Sequence, residues 1–199
     1  MKSRKALQFF ARARRHFAQP RAYNFVHFYL LHFSNDSSII TIVSEREVNK
    51  MNRTLVFDMD GTIANFYGVD GWLAYLENED TTPYEIAEPL YDMVELTNIL
   101  VNLKKNGWKI AVTTWLAKNG TKEYNDRTRK AKLEWLEKYR FPYDEIHLVK
   151  YGTTKANCTR KNGGFQVLVD DNEMVRKGWR LGATIDANKN ILKELKNLA

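Results

Sequence analysis

The sequence predicts an α/β fold, a parallel sheet with helices on both faces and a small helical insert. Three observations carry this expectation. Short apolar, β-branched runs alternate with segments of helical period from Thr54 to Leu198. Three of the runs stop abruptly at polar residues, as strands do at the carboxyl edge of such a sheet. Residues 63–90 follow neither period and hold aromatics, acids, Pro83 and Pro89, as an insert would.

Thr54-Leu-Val-Phe57 reads as a buried strand that runs into Asp58. After the insert, Tyr91 to Lys105 spaces Met93, Leu96, Ile99, Leu100 and Leu103 along one helical face, and Asn106-Gly107 ends it. Trp108 to Thr114 is the second strand. Glu123 to Tyr139 reads as a charged amphipathic helix with Leu133 and Leu136 on its apolar side. Ile146–Val149 and Gln166–Val169 are two further strands. Met174–Leu181, Ala183–Ile185 and Asn188–Leu198 then give helix, strand, helix. This order is Rossmann-like.

Composition narrows the function. The 199 residues carry a net charge of +7, most of it in residues 1–50, where nine Lys/Arg face three Asp/Glu. Residues 51–199 are nearly balanced, with 22 against 21. The chain therefore divides into a basic leader and a globular body starting at Met51, just before the first strand. The leader has three readings: an organelle-targeting segment, a basic arm for nucleic acid or an anionic surface, or an extension outside the functional protein. No run approaches the roughly 20 apolar residues of a membrane span. A single cysteine, Cys158, excludes an internal disulfide and fits a reducing, cytoplasmic compartment.

The chemistry is concentrated at the strand ends. Asp58 and Asp60 lie two residues apart, so both carboxylates point to one side, and Gly61 lets the chain turn there. One Asp can attack phosphorus while the other protonates a leaving oxygen. The bland alternative is a solvated Asp-x-Asp-Gly turn. Thr113 and Thr114 end the second strand with hydroxyls suited to a phosphoryl oxygen. Asp170 and Asp171 end the fourth, where adjacent acids call for a cation such as Mg²⁺. A calcium site or a helix N-terminal acid pair is the alternative there. His147 reads as a packed strand residue, and Arg127–Lys132 as a solvated helix face.

Taken in order, these motifs resemble the haloacid dehalogenase (HAD) superfamily over about residues 54–186. The resemblance implies Asp58 as nucleophile, Asp60 as general acid and base, and Thr113 as the phosphate-binding hydroxyl. It implies Mg²⁺ held by Asp58, Asp170, Asp171 and the Asp60 carbonyl. A charge-neutralising lysine is also implied. Lys155 suits its place best, with Lys150 and Lys132 as rivals. The second Asp of the first motif points to the superfamily's phosphatases.

A narrower resemblance is to the 5′(3′)-deoxyribonucleotidases, carried by Asp58–Phe66, Lys132–Tyr139 and Leu168–Asp171. It departs at Thr62 and Asn65, where that family usually has Val and Asp. It implies Thr113 and Thr114 at the phosphate and Phe66 against a nucleobase, with cap core as the other reading of Phe66. The expected partner is thus a small phosphorylated substrate, a nucleotide first. A nucleic-acid 3′-phosphatase or a sugar-phosphate phosphatase is the enzymatic alternative. An adaptor binding nucleic acid or a membrane surface through the leader is the non-enzymatic one.

Overall fold

The computed structural model describes residues 52–198. The basic leader, with its three readings, lies outside the described residues. Five strands form one sheet: β1 (Arg53–Phe57), β2 (Trp108–Trp115), β3 (Glu145–Val149), β4 (Phe165–Asp170) and β5 (Gly182–Asp186). All four pairings are parallel, in the order β3-β2-β1-β4-β5. The chain steps outward from β1 to β3, then returns to the other side of β1. That reversal opens a crevice at the carboxyl ends of β1 and β4.

Alternation along β1 assigns its side chains to the two faces. Leu55 and Phe57 join a core with Leu96 and Leu100 of α3 (Met93–Lys105), Trp135 and Leu136 of α4 (Lys122–Lys138), and Ile191 and Leu195 of α7 (Ile191–Lys196). Val56 faces the opposite way, with Leu168, Ala156 of α5 (Lys155–Thr159) and Trp179, which follows α6 (Glu173–Gly178). Helices therefore cover both faces. Side-chain caps fix where the helices begin. Asp92 accepts from the amides of Val94 and Glu95, Thr121 from Tyr124, and Asn172 from Met174 and Val175.

The insert is a small helical cap. It holds a 3-10 turn at Phe66–Gly68, α1 (Trp72–Glu77) and α2 (Thr82–Ile86). A third cluster, Phe66, Tyr84, Ala117, Tyr124 and Ala131, seats the cap on α4. Polar ties reinforce the seat: Thr121 donates from its amide and hydroxyl to Glu79, and Tyr124 donates to the Asp80 carbonyl.

Two details differ from the sequence reading. The α4 face turned inward is Tyr124, Thr128, Ala131, Lys132, Trp135 and Leu136, while Leu133 is 37% exposed. Only Leu136 of the expected leucine pair is core, because Trp135 and the cap set the buried stripe. Helix α5 has no apolar stripe in the sequence; Ala156 is its sole buried apolar residue.

Candidate active site

The loop after β1 is wound around one carbonyl. Met59 O accepts from the amides of Thr62, Ile63 and Ala64. Gly61 makes this possible with φ of 72°. A Cβ there would lie 2.6 Å from the Tyr67 ring and 2.8 Å from Asp171 Oδ2, so the position demands glycine for space as well as conformation. Thr62 stitches this loop to the end of β4. Its hydroxyl accepts from the Asp171 amide at 3.1 Å and donates to Asp171 Oδ1 at 3.3 Å.

The result is a cluster of three carboxylates. Asp58, Asp170 and Asp171 each offer an oxygen within 4.8 Å of the others. Lys155, at the start of α5, reaches between them. Its ammonium lies 2.8 Å from Asp58 Oδ1 and 2.7 Å from Asp170 Oδ2, and 5.0 Å from the centre of the Trp115 ring. One buried ammonium against three carboxylates leaves two negative charges to be balanced. The carboxyl groups respond as buried anions do. Burial, then the charge of Asp58, pushes Asp170 up to about 6 despite Lys155. Burial and then Asp58 raise Asp171 as well. Burial works against the charge of Lys155, but Asp58 and Asp170 together hold its affinity for a proton above the ordinary range. Hard oxygen donors, close together and short of positive charge, form a set able to hold a divalent cation.

Asp60 stands apart from this cluster. Its Oδ2 accepts from Lys132 at 2.5 Å, and Lys132 also donates to Thr114 Oγ1 at 2.8 Å and Trp115 O at 2.9 Å. The Lys132 side chain is fully buried on α4, with its ammonium 5.0 Å from the centre of the Tyr84 ring of the cap. Burial raises the Asp60 carboxyl, with Lys132 opposing and Asp58 adding to the rise. Asp60 Oδ1 and Thr113 Oγ1 are buried and have no hydrogen-bond partner among the described residues. Buried polar atoms without partners are rare and call for an explanation, such as a catalytic role, an ordered water or a bound ion.

The structure thus gathers Asp58, Asp170 and Asp171 into one cluster, with Lys155 touching Asp58 and Asp170 and Thr113 on the neighbouring strand. Of the three candidate lysines, Lys155 touches the carboxylate cluster, Lys132 carries Asp60, and Lys150 is exposed. Thr114 is engaged with Lys132. Phe66 is 3% exposed and packs on Tyr84 at 4.7 Å and Trp72 at 5.8 Å, so its ring is covered by the cap. The neighbouring Tyr67 is 52% exposed; partial burial and the charges of Asp60, Asp171 and Asp58 push its hydroxyl above the ordinary tyrosine range. His147 is half-buried and contacts Glu145 at 3.1 Å.

The sequence offered Lys132 only as a rival for the phosphate-site lysine, not as the partner of Asp60, and Thr62 only as a departure from the nucleotidase motif, not as the tie to Asp171. Lys132 sat in a run of basic residues that reads as a solvated face, and only the cap above it makes the position interior. Trp115 lay just past the expected end of the second strand at Thr114; in the structure it closes that strand and stands as the wall beside Lys155.

No family model and no curated protein matches the sequence. Among solved structures the chain is similar to one described as "Structure of Pnkp1/Rnl/Hen1 complex", at 16% identity and a TM-score of 0.48. That likeness covers 81% of this chain, which spans 57% of the other. Among the described residues, no helix is long and apolar enough to cross a membrane.

Proposed function

We propose that the chain is a Mg²⁺-dependent phosphomonoesterase of the HAD type, working through an aspartyl-phosphate on Asp58. The observation that carries this reading is Lys155 bridging Asp58 and Asp170 inside a cluster of three carboxylates. Asp58 attacks phosphorus, and the bond from phosphorus to the ester oxygen breaks. Asp60, placed with Oδ1 free, gives its proton to the departing oxygen. It then takes a proton from water, which attacks the aspartyl-phosphate and releases inorganic phosphate. Thr113 offers its partnerless hydroxyl to a phosphoryl oxygen, and Lys155 offsets the charge on the group in transfer. Mg²⁺ would be held by Asp58, Asp170, Asp171 and the Asp60 carbonyl, and supplies charge neutralisation for the phosphoryl group.

Within this chemistry a deoxyribonucleoside 5′- or 3′-monophosphate is the substrate put first. The resemblance of Asp58–Phe66 and Leu168–Asp171 to deoxyribonucleotidase motifs supports it. So does a cleft of about 300 Å³ beside Lys155, walled by Trp115, Tyr151, Met174, Val175 and Trp179, within the size range of small-ligand sites. Tyr67 and Trp115, rather than Phe66, offer ring surface near the phosphate.

A panel of phosphorylated metabolites, assayed with and without Mg²⁺, tests the reading. Hydrolysis should need Mg²⁺ and favour deoxyribonucleotides. Asp58→Asn should abolish it, a loss on the order of the 8 kcal/mol or more that enzymatic catalysis supplies. Wild-type turnover by Asp58→Asn would rule out the aspartyl-phosphate.

A further inference from the structure

Resting on the phosphatase reading, we infer that, beyond mononucleotides, the site also removes the terminal phosphate of a nucleic-acid strand, whose following nucleotides lie in a basic groove beside the site. The groove has a volume of about 490 Å³ and opens at the carboxyl edge of the sheet, on the same edge as Asp58. Its walls come from the loop after β2, the exposed side of α4 and the loop after β3. They carry four cations, Lys118, Lys122, Arg129 and Lys150, against one acid, Asp126. Asp126 accepts Lys122 at 2.8 Å and Arg129 at 3.8 Å. Lys118 and Lys150 have no acidic partner among the described residues, and both are exposed.

This concentration of charge is local. Residues 51–199 are balanced to within one charge overall, so the groove gathers cations that composition alone does not explain. The groove also adjoins the cleft beside Lys155. Tyr151, half-exposed, walls both the groove and the cleft beside Lys155. Its ring packs 4.9 Å from Trp115, with Lys118 5.6 Å away on Tyr151 and the Lys155 ammonium 5.0 Å from the Trp115 ring. Lys155 in turn touches Asp58. An aromatic pair therefore stands between the nucleophile and a set of cations of which two, Lys118 and Lys150, have no acidic partner among the described residues.

A free mononucleotide has one phosphate, and the Asp58 site already answers it. The cations beyond Tyr151 have no work to do for such a substrate. A strand supplies what they lack: phosphodiesters for Lys118 and Lys150, and a base for the exposed Tyr151 ring. Bases stacked on aromatics between phosphate-binding cations are the general means of holding single strands.

The test uses the full chain and single-stranded DNA dodecamers with a 5′- or a 3′-terminal phosphate, which distinguishes the two ends. At low salt, one of them should be hydrolysed with kcat/KM on the order of tenfold above the matching mononucleotide, an advantage that shrinks as salt rises. The double variant K118E/K150E should lower the oligonucleotide-to-p-nitrophenyl-phosphate ratio by about tenfold and flatten the salt slope by roughly one per lost contact. No strand preference, or one indifferent to K118E/K150E, would overturn the inference while leaving the phosphatase standing. If no ester is hydrolysed at all, the phosphatase reading fails instead. Anisotropy of a labelled dodecamer on Asp58→Asn then decides the groove alone: binding weakened by K118E/K150E supports it, and unchanged binding refutes it. Inorganic polyphosphate displacing the dodecamer as well as unlabelled strand does, per phosphate, would also refute it, since the bases would contribute nothing.

Discussion

Lys132 gives Asp60 its orientation. It fills one carboxylate oxygen of Asp60 and leaves the other free, while anchoring itself to Thr114 and the Trp115 carbonyl. A general acid held this way should matter most when the leaving oxygen needs a proton. Lys132→Met should therefore slow an alkyl phosphate by about two orders of magnitude, within the usual range for general acid catalysis. It should slow p-nitrophenyl phosphate, whose leaving group needs little help, much less. In an Asp60→Asn background the same substitution should cost almost nothing more, because the two residues act as one unit. Equal losses on both esters, persisting without Asp60, would give Lys132 a packing role only. Asp170 makes a separate prediction. Its carboxyl, raised to about 6, takes up a proton where an ordinary aspartate is still ionised. Proton and cation compete for the same oxygens, so Mg²⁺ affinity should fall as pH drops through about 6 and be fully present near pH 7.5, measured by titration calorimetry. By linkage, the buried carboxyl's own contribution to stability in the metal-free protein has the opposite sense. It is greatest below the unfolded value and is lost as pH rises through the raised one.

At the scale of elements, the cap is seated rather than loosely appended. Phe66 and Tyr84 pack on Tyr124 and Ala131 of α4, and Trp135 donates to the Ala87 carbonyl where the cap ends. Phe66→Ala empties the middle of that contact, a change costing about 3–5 kcal/mol in typical cores. The expected result is a melting point lowered by several degrees, with nucleotide and p-nitrophenyl phosphate hydrolysis falling together. Selective loss on nucleotides, with an unchanged melting point, would return Phe66 to a base-stacking role. The same seating explains why α4 could not be read correctly from its sequence. Its inward stripe answers two neighbours, the sheet and the cap, and the second turns Lys132 inward while leaving Leu133 at the surface. Helix α5 was hidden for a different reason: five residues with one buried alanine have no period to detect.

At the scale of the molecule, the sheet order places β1 between β2 and β4, so the ends of three strands converge. The acids of the first and fourth motifs meet only because those strands are neighbours. The described residues beyond Met51 form three core clusters among themselves, and β1 begins paired with β4, Asn52 accepting from the Phe165 amide at 3.0 Å. A chain starting at Met51 should therefore express in soluble form, melt cooperatively and hydrolyse a small phosphate ester as fast as the full chain does. Insolubility or inactivity of that chain, with the longer one active, would make the leader part of the structure.

The sequence by itself determined the strands, the parallel sheet, the insert and the carboxylate-bearing strand ends, because each is a local pattern of period and termination. Apolar runs ending in Asp58, Thr113 and Asp170 announce buried strands with a polar edge whatever surrounds them. Only the tertiary structure decided which lysine stands among the carboxylates, which carries Asp60, that Phe66 lies under the cap while Tyr67 faces the site, and that Lys118 and Lys150 share one groove. These are relations between residues far apart in the chain. A lysine's charge and reach are the same at Lys132, Lys150 and Lys155; burial and neighbouring charge give each its place, and both arise only when the strands, α4 and the cap have packed.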